Sequence, residues 1–249
     1  MRLEKQKFDT NIVEEQPAYS LTEASRYLLI PPATLRSWVA GRKYPTDSGP
    51  KFFRPIIQLP DDVRAGLSFV NLVEAHMLDA IRRHHQVPLS KIRQAIDYLR
   101  KHFSSTHPLA EQRFETDGLD LFIDKFGQLI NVTQSGQIAL RELLKAHLHR
   151  VEHDAAGTAV RLYPFTRKRD LREPKVVVID PHISYGRPVL VGTGIPTAVV
   201  AERYKAGESI DELAEDYGRS RNEIEEAIRC WLWLEAAEIF SLFHRPFPW

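Results

Sequence analysis

The chain has one cysteine, Cys230, in 249 residues, which excludes an internal disulfide and a thiolate metal site built within one chain. It has no uninterrupted apolar run of the roughly 18 residues that a membrane-spanning helix requires. Its first residues, M-R-L-E-K-Q-K-F-D, lack the apolar core of a signal peptide. The bacterial cytoplasm is the expected compartment, with no membrane partner. Also missing are a glycine-rich phosphate cradle, an H-E-x-x-H pair, a serine elbow and a cysteine with a base beside it. No catalytic residue and no cofactor is expected, and the chain is read as not an enzyme. The histidines His84, His85, His147, His149 and His153 invite a metal reading. Helical neighbours such as His84 and His85 point about 100° apart, however, so solvated or core-edge histidines are expected instead. Asp180 and His182 are close enough to suggest a catalytic pair, but they fall inside a turn motif.

What is present is charge, unevenly placed. A net charge of +1 conceals six bases against one acid between Arg26 and Arg54, and eight acids against three bases between Gly207 and Arg229. The first segment suits a polyanion and the second repels one. Apolar residues make up 43% and charged residues 27%, enough apolar material for a soluble protein of two domains.

Ser20 followed three residues later by Glu23 is a capping box, so a helix is expected from Leu21. Leu21, Ala24 and Leu28 give it one apolar face. A second helix is expected from Pro32, where proline fits the first helical position, and Gly41 should end it. Leu35, Trp38 and Val39 share its inner face, which leaves Ala33, Thr34, Arg36 and Ser37 outward. Arg42 and Lys43 follow, then a hairpin wing around Lys51, Phe52, Phe53 and Arg54. This is helix-turn-helix geometry, in which the second helix enters the major groove. The candidate DNA-binding residues are Thr22, Ala33, Thr34, Arg36, Ser37, Arg42, Lys43, Lys51 and Arg54, with double-stranded operator DNA as the partner. The stretch Y-S-L-T-E-A-S-R-Y-L-L-I-P-P-A-T-L-R-S-W-V-A-G (19–41) resembles the MerR-type winged helix-turn-helix.

Beyond it, Phe69, Leu72, Val73, Leu78 and Ile81 mark one helix. Ser90 is expected to cap another, with Ile92, Ala95, Ile96, Leu99 and Phe103 on its apolar face. This pair serves either as the helical remainder of the domain or as a homodimer face. Residues 114–165 read as short strands with one helix, whose stripe is Leu140, Leu143, Leu144, His147 and Leu148. Asp117-Gly118 is a turn signal, and a hairpin is expected from Arg150 through Gly157 to Tyr163. The charged run from Arg167 through Arg172 to Glu173 reads as a linker.

From Asp180 to Pro196 the chain reads D-P-H-I-S-Y-G-R-P-V-L-V-G-T-G-I-P. Glycines and prolines alternate around the apolar runs Val176–Ile179 and Val189–Val191, a pattern of small strands joined by tight turns. Helices are expected near 197–206, 209–217 and 220–233, with capping boxes at Ser209/Glu212 and Ser220/Glu223. The last two helices look like a second helix-turn-helix, but Glu223, Glu225 and Glu226 on the would-be reading helix oppose phosphate contact. The motifs G-R-P-V and G-T-x-I-P resemble the domain-of-unknown-function 433 family, grouped with VapB-type antitoxins, over about 176–231. The family usually has Arg where this chain has Gly194.

The last 19 residues hold six of the chain's 24 aromatics. Pro246 and Pro248 break any helix there, leaving an extended strip that either binds a partner or folds back on its own domain. The resemblance implies an antitoxin of a type II, VapBC-like system that autoregulates its operon and blocks a PIN-like ribonuclease toxin. The candidate toxin contacts are Trp233, Phe240, Phe243, His244, Arg245, Phe247 and Trp249. The alternative is a MerR-type regulator with a C-terminal small-molecule or protein sensor. The expected fold is mainly α (α+β): a winged helix-turn-helix with helical extension (1–105), a mixed segment and basic linker (106–173), a short-strand plus three-helix, homeodomain-like domain (174–233) and an aromatic tail (234–249).

Overall fold

The computed structural model describes residues 13–45, 49–60, 66–85, 88–130, 133–167 and 172–231. Helix α1 (Leu21–Tyr27) and helix α2 (Pro32–Val39) are followed by the hairpin β1 (Arg42–Tyr44) and β2 (Lys51–Phe53). Helices α3 (Phe69–His85) and α4 (Leu89–Phe103) come next. Every residue of α3 from Phe69 to Ile81 is buried, which makes α3 the axle of the molecule. Its buried polar residues have partners. The side-chain amide of Asn71 donates to the Gln58 carbonyl oxygen at 2.8 Å, and Glu74 meets His107 Nδ1 at 2.9 Å.

Two expectations for this region are corrected. Ser90 does not cap α4, because Pro88 occupies the N-cap position and makes no side-chain cap bond. Asp117-Gly118 is not a turn. It belongs to a wide helical turn, Phe114–Gly118, that leads directly into α5 (Leu119–Ile130). A Cβ on Gly118 would stand 3.0 Å from the Phe103 ring and 3.1 Å from that of Phe114, so the glycine serves close packing rather than chain reversal. The middle segment therefore has two helices, α5 and α6 (Gln134–Leu148), and not one. The hairpin that follows, β3 (Val151–His153) with β4 (Ala159–Leu162), is antiparallel as expected, and Asp154 Oδ1 accepts from Ala156 and Thr158 N–H to close its turn.

A small antiparallel pair, β5 (Val177–Val178) and β6 (Val189–Leu190), extends this hairpin through the mutual bonds of Leu162 and Ile179 at 3.0 and 2.8 Å. Helices α7 (Thr197–Lys205), α8 (Ile210–Tyr217) and α9 (221–231) complete the described chain. Both expected capping boxes form. The fold is mainly α with small antiparallel strand pairs. Its buried apolar residues fall into one large cluster from Tyr19 to Leu162 that also takes Ile179, a second around Leu190, Val200, Leu213, Ile224 and Ala227, and a small third of Tyr163, Val178 and Val189.

The residues read as a charged linker join these clusters. Glu173 is buried, and its carboxylate accepts the N–H groups of Thr166 and Arg167 at 3.2 and 2.7 Å. Glu226, expected on an exposed acidic face, has no exposed surface at all. It accepts from Thr166 Oγ1 at 2.5 Å, Arg167 Nε at 2.7 Å and an Arg229 nitrogen at 2.6 Å. Burial pushes the Glu226 carboxyl up, but these donors outweigh it and hold the group below the usual carboxylate range. Spacing alone could not separate Glu226 from Glu223 and Glu225, because two of its partners, Thr166 and Arg167, lie about 60 residues back in the chain.

Candidate nucleic-acid interface

The capping box that starts α1 is complete. Glu23 N–H donates to Ser20 Oγ at 3.2 Å, and Ser20 N–H donates to the Glu23 carboxylate at 2.9 Å. The turn between α1 and α2 is tight: Leu29 adopts φ 54°, and Ile30 N–H returns to the Ser25 carbonyl oxygen at 3.0 Å. Leu35, Trp38 and Val39 then face the core at 0, 1 and 6% exposure. That orientation exposes Ala33 and Arg36 and leaves Thr34 and Ser37 half-buried, while Thr22 is exposed on α1. Ser37 Oγ donates to the Thr34 carbonyl oxygen at 2.8 Å, so its proton is already used inside the helix.

Gly41 follows α2 with φ 74°, and a Cβ there would stand 2.3 Å from the Phe53 carbonyl oxygen. Only glycine permits the wing to return so close to the end of α2. The register pairs Arg42 with Phe53, Lys43 with Phe52 and Tyr44 with Lys51. Two arginines of α4, which sequence reasoning did not single out, hold the wing at its base. The Arg93 guanidinium lies 4.2 Å over the Phe53 ring and donates to the Arg54 carbonyl oxygen. Arg100 donates to the Ile56 carbonyl oxygen at 2.6 Å. Their seven-residue spacing on one helix face beside Ile92 and Leu99 was the available signal. From the other side the Trp38 carbonyl oxygen accepts the N–H groups of Ile56 and Ile57 at 2.8 and 3.1 Å.

The charges separate the two helix-turn-helix units. Arg36, Arg42, Lys43, Lys51 and Arg54 are exposed, and among the described residues none forms an ion pair. In the C-terminal unit the arginines are paired: Arg203 with Glu208 and Asp216, Arg219 with Glu223, Arg221 with Asp211 and Glu225. A cation without a carboxylate is free to exchange its counterion for a phosphate; a paired one is not. Two aromatic rings of the wing are exposed, Tyr44 at 38% and Phe52 at 56%, and Phe52 sits across from Lys43.

No group of three or more His, Cys, Asp or Glu among the described residues has metal-site geometry. His147 Nδ1 lies 2.9 Å from the Leu143 carbonyl oxygen, and His153 Nε2 lies 3.1 Å from that of Ala110. His149 is exposed, and the His84 and His85 side chains lie outside the described residues. Asp180 builds the turn motif: its carboxylate accepts from His182 N–H and from Arg161 Nε, both at 2.9 Å. The candidate toxin contacts Trp233, Phe240, Phe243, His244, Arg245, Phe247 and Trp249 all lie outside the described residues. No described helix is long and apolar enough to cross a membrane.

Comparison with known proteins bears on this arrangement. Residues 17–96 match a family described as "Putative DNA-binding HTH domain", and residues 177–229 match "Protein of unknown function (DUF433)". The chain is similar to "Putative antitoxin VapB45" of Mycobacterium tuberculosis, with 33% identity over 85% of this chain and 92% of that protein. It is also similar to "Uncharacterized protein Rv2308" of the same organism, with 27% identity over 86% of this chain and 90% of the relative. The crystal structure of Rv2018 from M. tuberculosis superposes with a TM-score of 0.62 and 28% identity, covering 86% of this chain and 97% of that one. With a helix-turn-helix that carries unpaired cations, a DUF433 domain and a match along most of both chains, the protein belongs to the VapB-type antitoxin family.

Proposed function

We propose that this chain is a non-enzymatic antitoxin of a VapBC-like type II system. It binds operator DNA of its own operon through α2 and the wing, as a homodimer on paired half-sites, and blocks a PIN-like ribonuclease toxin with its C-terminal part. The observation that carries the DNA half is the set of five exposed cations without ion pairs on α2 and the wing. Arg36, outward on α2, is placed for base edges, while Arg42, Lys43, Lys51 and Arg54 are placed for phosphates. Thr22, Ala33 and Thr34 complete the helical face. The toxin half is supported by the kinship with a protein named an antitoxin and by the aromatic composition of residues 234–249. Toxins of this kind hold Mg²⁺ with clustered carboxylates, which an arginine such as Arg245 would engage.

Co-expression with the product of the neighbouring gene tests the reading. Deletion after Ser241 should abolish neutralisation of the toxin while operator binding survives. If the shortened chain still neutralises, the toxin contact lies elsewhere. If the full chain captures no stoichiometric partner, the antitoxin assignment fails.

A further inference from the structure

We infer that the cleft between α1 and the C-terminal domain is a binding site for a small organic anion, a phosphate monoester or a carboxylate with an aromatic body. The cleft is a cavity of about 260 Å³, large enough for a small aromatic acid, with Tyr27 on one wall and Arg187, Thr197, Ala198, Glu202 and Trp231 on the other.

Beside the Glu23 and Glu202 carboxylates and the Arg26 side chain, three donors at the cavity have no acceptor among the described residues. The Tyr27 side chain is 8% exposed, and its hydroxyl forms no hydrogen bond among the described residues. Burial pushes that hydroxyl up to about 12, so it keeps its proton and can only donate to an anion. The Trp231 indole N–H is buried and has no partner either. Arg187 is exposed and forms no ion pair among the described residues. Helix α7 begins beside it with no side-chain cap, and Thr197 and Ala198 of its first turn line the cavity. A helix N-terminus with open N–H groups favours negative charge.

Backbone strain points the same way. Ser184, Tyr185 and Gly186 adopt φ of 49°, 57° and 73°, two of them residues for which this region is unfavourable. A Cβ on Gly186 would stand 2.2 Å from the Tyr19 hydroxyl, so this strained turn is keyed against the helix-turn-helix unit. Its effect is to deliver Arg187, the next residue, to the cleft. One oxygen of the Glu23 carboxylate, Oε2, accepts from both Ser20 N–H and Ser20 Oγ, which holds this group toward Ser20. Glu202, one turn along α7 from Ala198, also lines the cavity and disfavours an anionic group beside it. The aromatic body of the ligand would lie beside the Trp231 ring, over which the Arg26 guanidinium stands at 5.8 Å.

The full chain is titrated with phenyl phosphate, benzoate and inorganic phosphate at constant ionic strength, using calorimetry and tryptophan fluorescence. Saturable 1:1 binding of phenyl phosphate or benzoate is expected, and the tighter of the two identifies the anionic group. Arg187→Ala should weaken it about tenfold or more, as for loss of a charged donor, and Tyr27→Phe about threefold or more. Glu202→Gln should leave binding intact or tighten it. Arg187 is exposed and Tyr27→Phe keeps the ring, so both variants should fold, which circular dichroism checks. Absence of saturable binding for both aromatic probes at millimolar concentration overturns the inference. So does binding that neither Arg187→Ala nor Tyr27→Phe alters.

Discussion

The unpaired cations make a quantitative demand on DNA binding. Each phosphate neutralised by a lysine or arginine contributes about −0.9 to the slope of log K against log salt. If Arg42, Lys43, Lys51 and Arg54 each meet a phosphate while Arg36 meets a base edge, the slope is about −3.6 for one copy and about −7.2 for a pair on two half-sites. For one copy, raising salt from about 50 to about 200 mM then lowers affinity roughly 150-fold. Lys51→Ala removes one exposed wing cation without touching the hairpin register, because Lys51 pairs with Tyr44 through backbone alone. It should flatten the slope by about 0.9 per copy on any duplex. Arg36→Ala should behave differently, costing about 1–3 kcal/mol on the operator and relaxing preference at one base pair. The assay is fluorescence anisotropy of labelled operator and random duplexes across the salt range. If Lys51→Ala leaves the slope unchanged on both, the wing does not meet phosphates and the charge argument collapses.

Three further outcomes follow from the geometry. Glu226→Ala strands Thr166, Arg167 and Arg229. Because the arginines remain 42 and 35% exposed and can rehydrate, the loss should be about 2–3 kcal/mol, below that of a sealed pair. Urea unfolding of the full chain measures it, and a change under about 0.5 kcal/mol would contradict the docking role. Gly41→Ala should destabilise by about 2 kcal/mol or more, since φ 74° and the Phe53 carbonyl both oppose a Cβ. DNA affinity should fall with it, and an unaltered melting temperature and affinity would refute the close approach. His76 is buried beside His147 and donates to its carbonyl oxygen, and burial holds the imidazole well below its ordinary value. The unfolded chain therefore takes a proton near pH 6.5 that the folded chain refuses, so this contribution is full above about 6.5 and lost as pH falls. His76→Phe should reduce the slope of stability against pH below about 6.5; an identical slope in the variant would rule this out.

The elements legible from sequence are those written locally. Ser20/Glu23, Ser209/Glu212 and Ser220/Glu223 announce helix starts within four residues, and the alternation of Leu35, Trp38 and Val39 with Arg36 orients α2 without any long-range information. Ser90 misled because a serine in a first turn looks the same whether or not it caps; here Pro88 has already set the chain direction. Asp117-Gly118 misled because the glycine was needed by Phe103, a neighbour across α4 that a local pattern does not contain. The same holds at the site. The cations on α2 and the wing could be read one by one, but Arg93 and Arg100, which aim the wing, act through carbonyl groups about 40 residues away. Glu226 is the strongest case: composition placed it on a repulsive surface, and tertiary contacts with Thr166 and Arg167 place it inside.

The unbroken apolar cluster from Tyr19 to Leu162 has a consequence for how such a protein can change. A reading head joined to its body by a hinge can be exchanged between genes as a cassette. Here α3 lies in the same apolar cluster as the helix-turn-helix and also packs against α6 and β4. Cutting after residue 105 would strip the cover from a buried helix, leaving Leu78 and Ile81 to water. Substitutions on the inner face of the reading head are therefore constrained by the helices packed behind it as well as by the DNA in front of it.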